Sequence, residues 1–96
     1  MNALQNARPK RTEGVTLRRS QDEIMLYDPA SDRLHYVNAT AAAIWELCDG
    51  ETDRSEMVAA ICLLTGMLPD IVREDVDRVV SQFAQVGLVQ FVEGSD

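Results

Sequence analysis

Histidine and cysteine are scarce in this chain of 96 residues, with one histidine, His35, and two cysteines, Cys48 and Cys62. There is no CxxC pair and no cluster of His and Cys at metal-ligand spacing, so a structural or catalytic metal site is not expected. Glycine-rich phosphate loops, an HExxH helix and a Ser–His–Asp arrangement in a motif context are missing too. One histidine and two cysteines on apolar helix faces are poor material for general acid–base or nucleophilic chemistry. The sequence therefore predicts a non-enzyme with no cofactor. Long apolar runs are also absent, none approaching the ~18 residues that cross a bilayer. The segment Met1 to Arg11 has no apolar stretch behind its charges, as a signal peptide would. A cytoplasmic protein off the membrane is expected, its cysteines reduced and acting as small core residues, with a disulfide between them left open.

What is present is an ordinary globular balance, 46% apolar and 26% charged residues. At this length that means one domain, one modest core, and a binding module or accessory subunit rather than a free-standing enzyme. Charge is unevenly spread. Residues 1–20 hold five basic side chains (Arg8, Lys10, Arg11, Arg18, Arg19) against Glu13, a net +4, and the other 76 residues hold four basic and fifteen acidic, a net −11. An acidic body repels phosphate backbones and favours basic partners. Residues 1–13 lack apolar periodicity and carry Pro9 among charges, so they are expected to form a disordered, solvated basic tail.

Gly14 opens a β-rich third. Val15–Arg19 alternates apolar and polar residues, Ile24–Tyr27 is a second strand and Leu34–Val37 a third. Asp28-Pro29-Ala30-Ser31-Asp32 supplies turn chemistry for a hairpin between the last two. Three helices follow. Asn38 caps the first, Ala39 to Asp49, which Gly50 ends. Asp53 and Glu56 form a capping box for the second, whose stripe is Met57, Ala60, Ile61 and Leu64 and whose stop is Gly66. Pro69 starts the third, with Val72, Val76, Val79, Val80 and Phe83 at helical spacing until Gly87. Leu88–Val92 reads as a final short strand. The layout is α+β, a winged helix-turn-helix with a three-stranded antiparallel sheet packed on three helices.

The third helix sits in the recognition position but offers Asp70, Glu74, Asp75 and Asp77 against Arg73 and Arg78, which disfavours DNA. Its carboxylates point in different directions and form a solvated face, and His35, on the same side of its strand as Val37, is expected to be a partly buried structural residue. A small sheet with a free edge instead admits an extended peptide as a further strand.

One stretch narrows the choice. Tyr36-Val37-Asn38-Ala39-Thr40-Ala41-Ala42-Ala43-Ile44-Trp45-Glu46-Leu47-Cys48-Asp49-Gly50 resembles the PqqD family, whose members show an aliphatic residue and Asn, then Thr-Ala-Ala, Ile-Trp, Leu and Asp-Gly at this spacing. The resemblance runs on through Met57, Ile61, Asp75-Val76, Phe83 and Gly87-Leu88-Val89, over residues 14–92, the expected peptide-binding domain. Arg54 departs from it, falling where many members carry an aliphatic residue. The resemblance implies a recognition element for ribosomally synthesised, modified peptides. Such a protein binds the leader of a precursor peptide and presents it to a modifying enzyme, often a radical SAM protein. The leader would lie as an added strand on the backbone of Leu34, His35, Tyr36 and Val37, with Asp75, Val76, Arg78, Val79 and Gln82 as the opposite wall. The family serves pyrroloquinoline quinone synthesis, lasso peptides and other pathways, and the sequence does not select among them. A monomer or a strand-swapped dimer is expected. The alternative is a small winged-helix regulator that binds DNA through the basic tail.

Overall fold

Four local signals set the helices in the computed structural model, which describes residues 7–93. The Asn38 carboxamide oxygen accepts from the Ala41 N–H at 2.8 Å and starts α1, Ala39–Leu47. Asp53 accepts from the Glu56 N–H at 2.8 Å while Glu56 accepts from the Asp53 N–H at 3.0 Å, and this reciprocal box starts α2, Arg54–Thr65. Gly66, at φ +71°, then takes the left-handed conformation that closes α2. Pro69 opens α3, Pro69–Gln85, where its missing N–H breaks no intrahelical bond. No single helix among the described residues is long and apolar enough to cross a membrane.

Ahead of the helices lie β1 (Ala7–Arg11), β2 (Thr16–Arg19), β3 (Ile24–Asp28) and β4 (Arg33–Val37), and β5 (Val89–Glu93) follows them. The second, third and fourth strands make a three-stranded antiparallel sheet in the order β2-β3-β4. Its register sets Leu17, Leu26 and His35 side by side on the inner face, and Arg18, Met25 and Tyr36 on the outer one. The buried Asp28 carboxylate holds the β3–β4 turn by accepting from the Ala30 N–H and the Ser31 hydroxyl at 3.0 and 3.1 Å. The fold is thus the expected α+β arrangement, three antiparallel strands on three helices.

Two expectations need correction. The segment expected as a disordered tail supplies β1, which pairs antiparallel with β5 from Ala7↔Glu93 to Arg11↔Val89; residues 1–6 lie outside the described range. Its Pro9 side chain is fully buried. The Arg11 N–H donates to the Cys48 carbonyl at 2.8 Å, and the Gly50 N–H donates to the Pro9 carbonyl at 2.9 Å. A Cβ on Gly50 would come within 3.2 Å of the Lys10 side chain, so the glycine that ends the Asn38–Gly50 cassette also lets β1 approach. The strand is built by backbone partners some forty and eighty residues away, which apolar periodicity does not register. The second correction is Leu64. It continues the buried stripe of Met57 and Ile61, yet it is 71% exposed.

One core unites the inner sheet face with all three helices. Leu26, Ile44, Met57, Ile61, Val72, Val76, Val80 and Leu88 are all at most 1% exposed. Cys48 is also fully buried, its thiol against the Ile44 carbonyl at 3.2 Å, and both cysteines are free. Burial pushes the Cys48 thiol up to about 12. An unfolded chain ionises its thiols near ~8.5, so from that pH upward it gives up the proton while the folded chain keeps it. Stability is then fully present below ~8.5 and falls by up to ~1.4 kcal/mol per pH unit towards 12. Urea melts at pH 7 to 11 should show this slope, and Cys48→Ala, though less stable at pH 7, should show a flatter one. Equal slopes would mean that other groups govern the alkaline loss.

Candidate functional site

The sheet leaves β4 unpaired along its outer edge among the described strands. Along β4 the side chains alternate. Leu34 and Tyr36 lie on the solvent face, 49% and 65% exposed, and His35 and Val37 turn inward and are half-buried. Across from this edge runs α3, and the two are separated by an open cleft of about 400 Å³. His35, Tyr36 and Val37 line it from the strand, Asn38, Thr40 and Ala41 from the start of α1, and Asp75, Arg78, Val79, Gln82 and Phe83 from α3, with Val86 and Leu88 closing the end.

The amphipathic pattern of α3 creates that wall. Val76 and Val80 are fully buried and face the core, while Val79 and Phe83, 7% and 5% exposed, sit at the boundary and form an apolar floor with Ala41 and Leu88. Above the floor, Arg78 donates to the Asp75 carboxylate at 2.8 Å. Both side chains of this (i, i+3) pair reach solvent, so it shapes the rim and adds little stability. On the strand side, the His35 Nε2 is buried and has no hydrogen-bond partner among the described residues. A buried polar atom left unpaired costs about 1–3 kcal/mol.

Of the residues expected to act, His35, Tyr36, Val37, Asp75, Arg78, Val79 and Gln82 come together around the cleft. Leu34 does not line it; it lies on the outer face of β4 with Tyr36, two residues further from the start of α1, and only Tyr36 reaches the cleft. Val76 does not either; it packs in the core one helical turn behind the wall. Asn38, Thr40, Ala41, Phe83, Val86 and Leu88 line the cleft without having been anticipated there. The small side chains of Thr40-Ala41 were a usable signal, since a slim α1 leaves the space that the cleft occupies.

Cys48 is sealed in the core with a raised pKa, which removes it as a nucleophile. Among the described residues no group of three or more His, Cys, Asp or Glu side chains is placed to hold a metal. The arginines on and beside α3 are each held by a carboxylate, Arg54 by Asp77 at 2.9 Å, Arg78 by Asp75 and Arg73 by Asp70 at 3.9 Å, a poor surface for a phosphate backbone. What remains is a strand edge with free N–H and C=O groups beside an apolar-floored cleft.

Residues 23–89 match the model of the family described as coenzyme PQQ synthesis protein D (PqqD). This chain belongs to the PqqD family. The match spans β3 through the start of β5, and so includes the edge strand and both walls of the cleft. A solved structure, TbiB1 in complex with the TbiA(beta) leader peptide, shares the fold at a TM-score of 0.72 and 22% sequence identity, over 84% of this chain and 94% of that one. No curated protein matches the chain significantly.

Proposed function

We propose that this PqqD-family protein is a non-catalytic chaperone that binds the leader of a ribosomally synthesised precursor peptide and presents it to a modifying enzyme, such as a radical SAM protein. The observation that carries this reading is the free edge of β4 facing α3 across an apolar-floored cleft. The leader adds to the sheet as a strand on the backbone of Leu34 to Val37, gaining main-chain hydrogen bonds, and alternate side chains enter the cleft between His35 and Val37 on one side and Asp75, Arg78, Val79 and Gln82 on the other. Val76 supports that wall from within the core. The solved structure that shares the fold is named as a leader-peptide complex, which favours the same ligand class here. Both free edges of the three-stranded sheet also suit a strand-swapped dimer, and leader binding would then compete with dimerisation.

Titration with the leader of a precursor encoded beside this chain should give a dissociation constant near the micromolar range, about −8 kcal/mol. The pairing mode has its own signature. Only every other N–H of an added strand points at β4, so N-methylation along the leader should weaken binding about tenfold at alternate positions and little between them. Uniform losses, or none, would rule out strand addition. Salt-sensitive binding to DNA with no saturable leader binding would overturn the proposal as a whole.

A further inference from the structure

Every residue from Leu63 to Ile71 is exposed, although the stretch is among the most apolar of the chain. Leu63 is 88% exposed, Leu64 71%, Leu68 68%, Ile71 48% and Met67 38%. They crowd onto one knuckle, the end of α2, its turn and the first turn of α3. Five large apolar side chains exposed within nine residues make a patch of the kind that marks an interaction site. The knuckle is also rigid. Gly66 closes α2 with its N–H on the Cys62 carbonyl at 2.8 Å, the Thr65 hydroxyl donates to the Ile61 carbonyl at 2.8 Å, and the Met67 N–H donates to that hydroxyl oxygen at 3.2 Å.

A second, independent observation points to function here. Helices α1 and α2 are capped by Asn38 and Asp53, but the cap position of α3 is Leu68, with no side-chain cap hydrogen bond. Leucine is among the poorer residues for that position. It therefore gives up local stability while its side chain is left in water, a combination that folding does not explain.

We propose that this knuckle is the docking surface for the enzyme that modifies the bound peptide, and that it inserts into an apolar socket bordered by basic residues. Charge argues for that partner. From Met57 to Pro69 there is no charged residue, and the rim beyond carries Asp70, its side chain 99% exposed, and Glu74 against the single Arg73, a net charge of −1. A second copy of this chain fits less well, because each copy carries a net charge of −7. None of the knuckle residues lines the β4–α3 cleft, so leader and enzyme can be bound at once. The identity of the partner rests on the peptide-chaperone function proposed above; the existence of the surface does not.

The test uses the full chain and the purified peptide-modifying enzyme encoded beside it, with Leu63→Ser and Leu68→Ser made singly and together. Enzyme binding should weaken at least tenfold in the double variant while leader affinity stays within twofold. Leu68→Ser should also raise Tm by a few degrees, because serine restores the cap, so lost binding cannot be ascribed to unfolding. Asp70→Asn with Glu74→Gln should weaken enzyme binding about threefold at low salt and have no effect at high salt. Undiminished enzyme binding in the double variant would overturn the proposal. So would a parallel loss of leader affinity, which would join the knuckle to the leader site. Dimerisation of the wild type that the double variant abolishes would assign the face to a second copy. A wild type that binds the enzyme through the knuckle but no leader would uphold the surface and remove the leader-binding function instead.

Discussion

Trp45→Ala is expected to lower stability by about 3–5 kcal/mol, a large part of the ~5–15 kcal/mol that holds a typical domain. The indole is 5% exposed and its N–H donates to the Leu88 carbonyl at 3.2 Å, joining α1 to the entrance of β5. The Arg11 guanidinium lies 5.5 Å from the ring centroid and also donates to the Glu46 carbonyl, so β1 is fastened through the same residue. Alanine removes the packing and both links together, leaving a cavity between the helices and the β1–β5 ribbon. Trp45→Phe separates the terms. It keeps most of the apolar contact and loses the N–H, but the Leu88 carbonyl still accepts from the Thr12 N–H at 3.0 Å, so no buried acceptor is stranded. The cost should then be only ~1 kcal/mol. Urea unfolding of the three proteins would check this; a loss under 1 kcal/mol for the alanine variant would mean that Trp45 does not clamp these elements.

Trp45 also shows what local sequence conveys and what it does not. Its place on the apolar face of α1 and the Asn38 cap before it are encoded locally and both appear in the fold, whereas α1 ends at Leu47 with Cys48 at its cap position, short of Asp49 and of the Gly50 expected to stop it. Capping and periodicity act over three or four residues, so they are legible without tertiary context. The hairpin from Ile24 to Val37 is legible for the same reason, with Asp28 bonding its own turn. The partners that Trp45 meets are not. Arg11 and Leu88 lie in and beside a ribbon whose strands are separated by most of the chain, and β1 reads as a solvated basic tail because its order comes from distant backbone pairing and the burial of one proline, neither of which apolar periodicity registers. The cleft was half legible. Strand alternation separates His35 and Val37 from Leu34 and Tyr36, but whether Val76 or Val79 reaches the surface depends on how far α3 is rolled against the core, and the valine pattern permits both. Leu64 fails for a related reason: an apolar stripe specifies a face of a helix, and the neighbour decides where along that face the cover ends.

Gln82→Trp is expected to weaken leader binding about 100-fold, ~2.7 kcal/mol, while leaving stability within about ±0.5 kcal/mol. Gln82 is exposed, so a larger side chain there does not enter the core, yet it lines the cleft one turn beyond Arg78 and Val79. On a helix, residues three and four apart are surface neighbours, so the indole can lie back over Arg78 and Val79 onto the apolar floor that the leader would use. It would fill much of a 400 Å³ space and cover apolar surface that is otherwise wet, which offsets the lost amide. Gln82→Ala should cost only a few-fold, because it opens the cleft instead of closing it. The contrast between the two isolates occupancy of the space from loss of a side-chain contact. Titration of both variants, with unfolding curves as the control, gives the answer. If the tryptophan variant binds leader as the wild type does, the leader does not sit between β4 and α3, and the free edge of β2, the other unpaired strand of the three-stranded sheet, becomes the candidate.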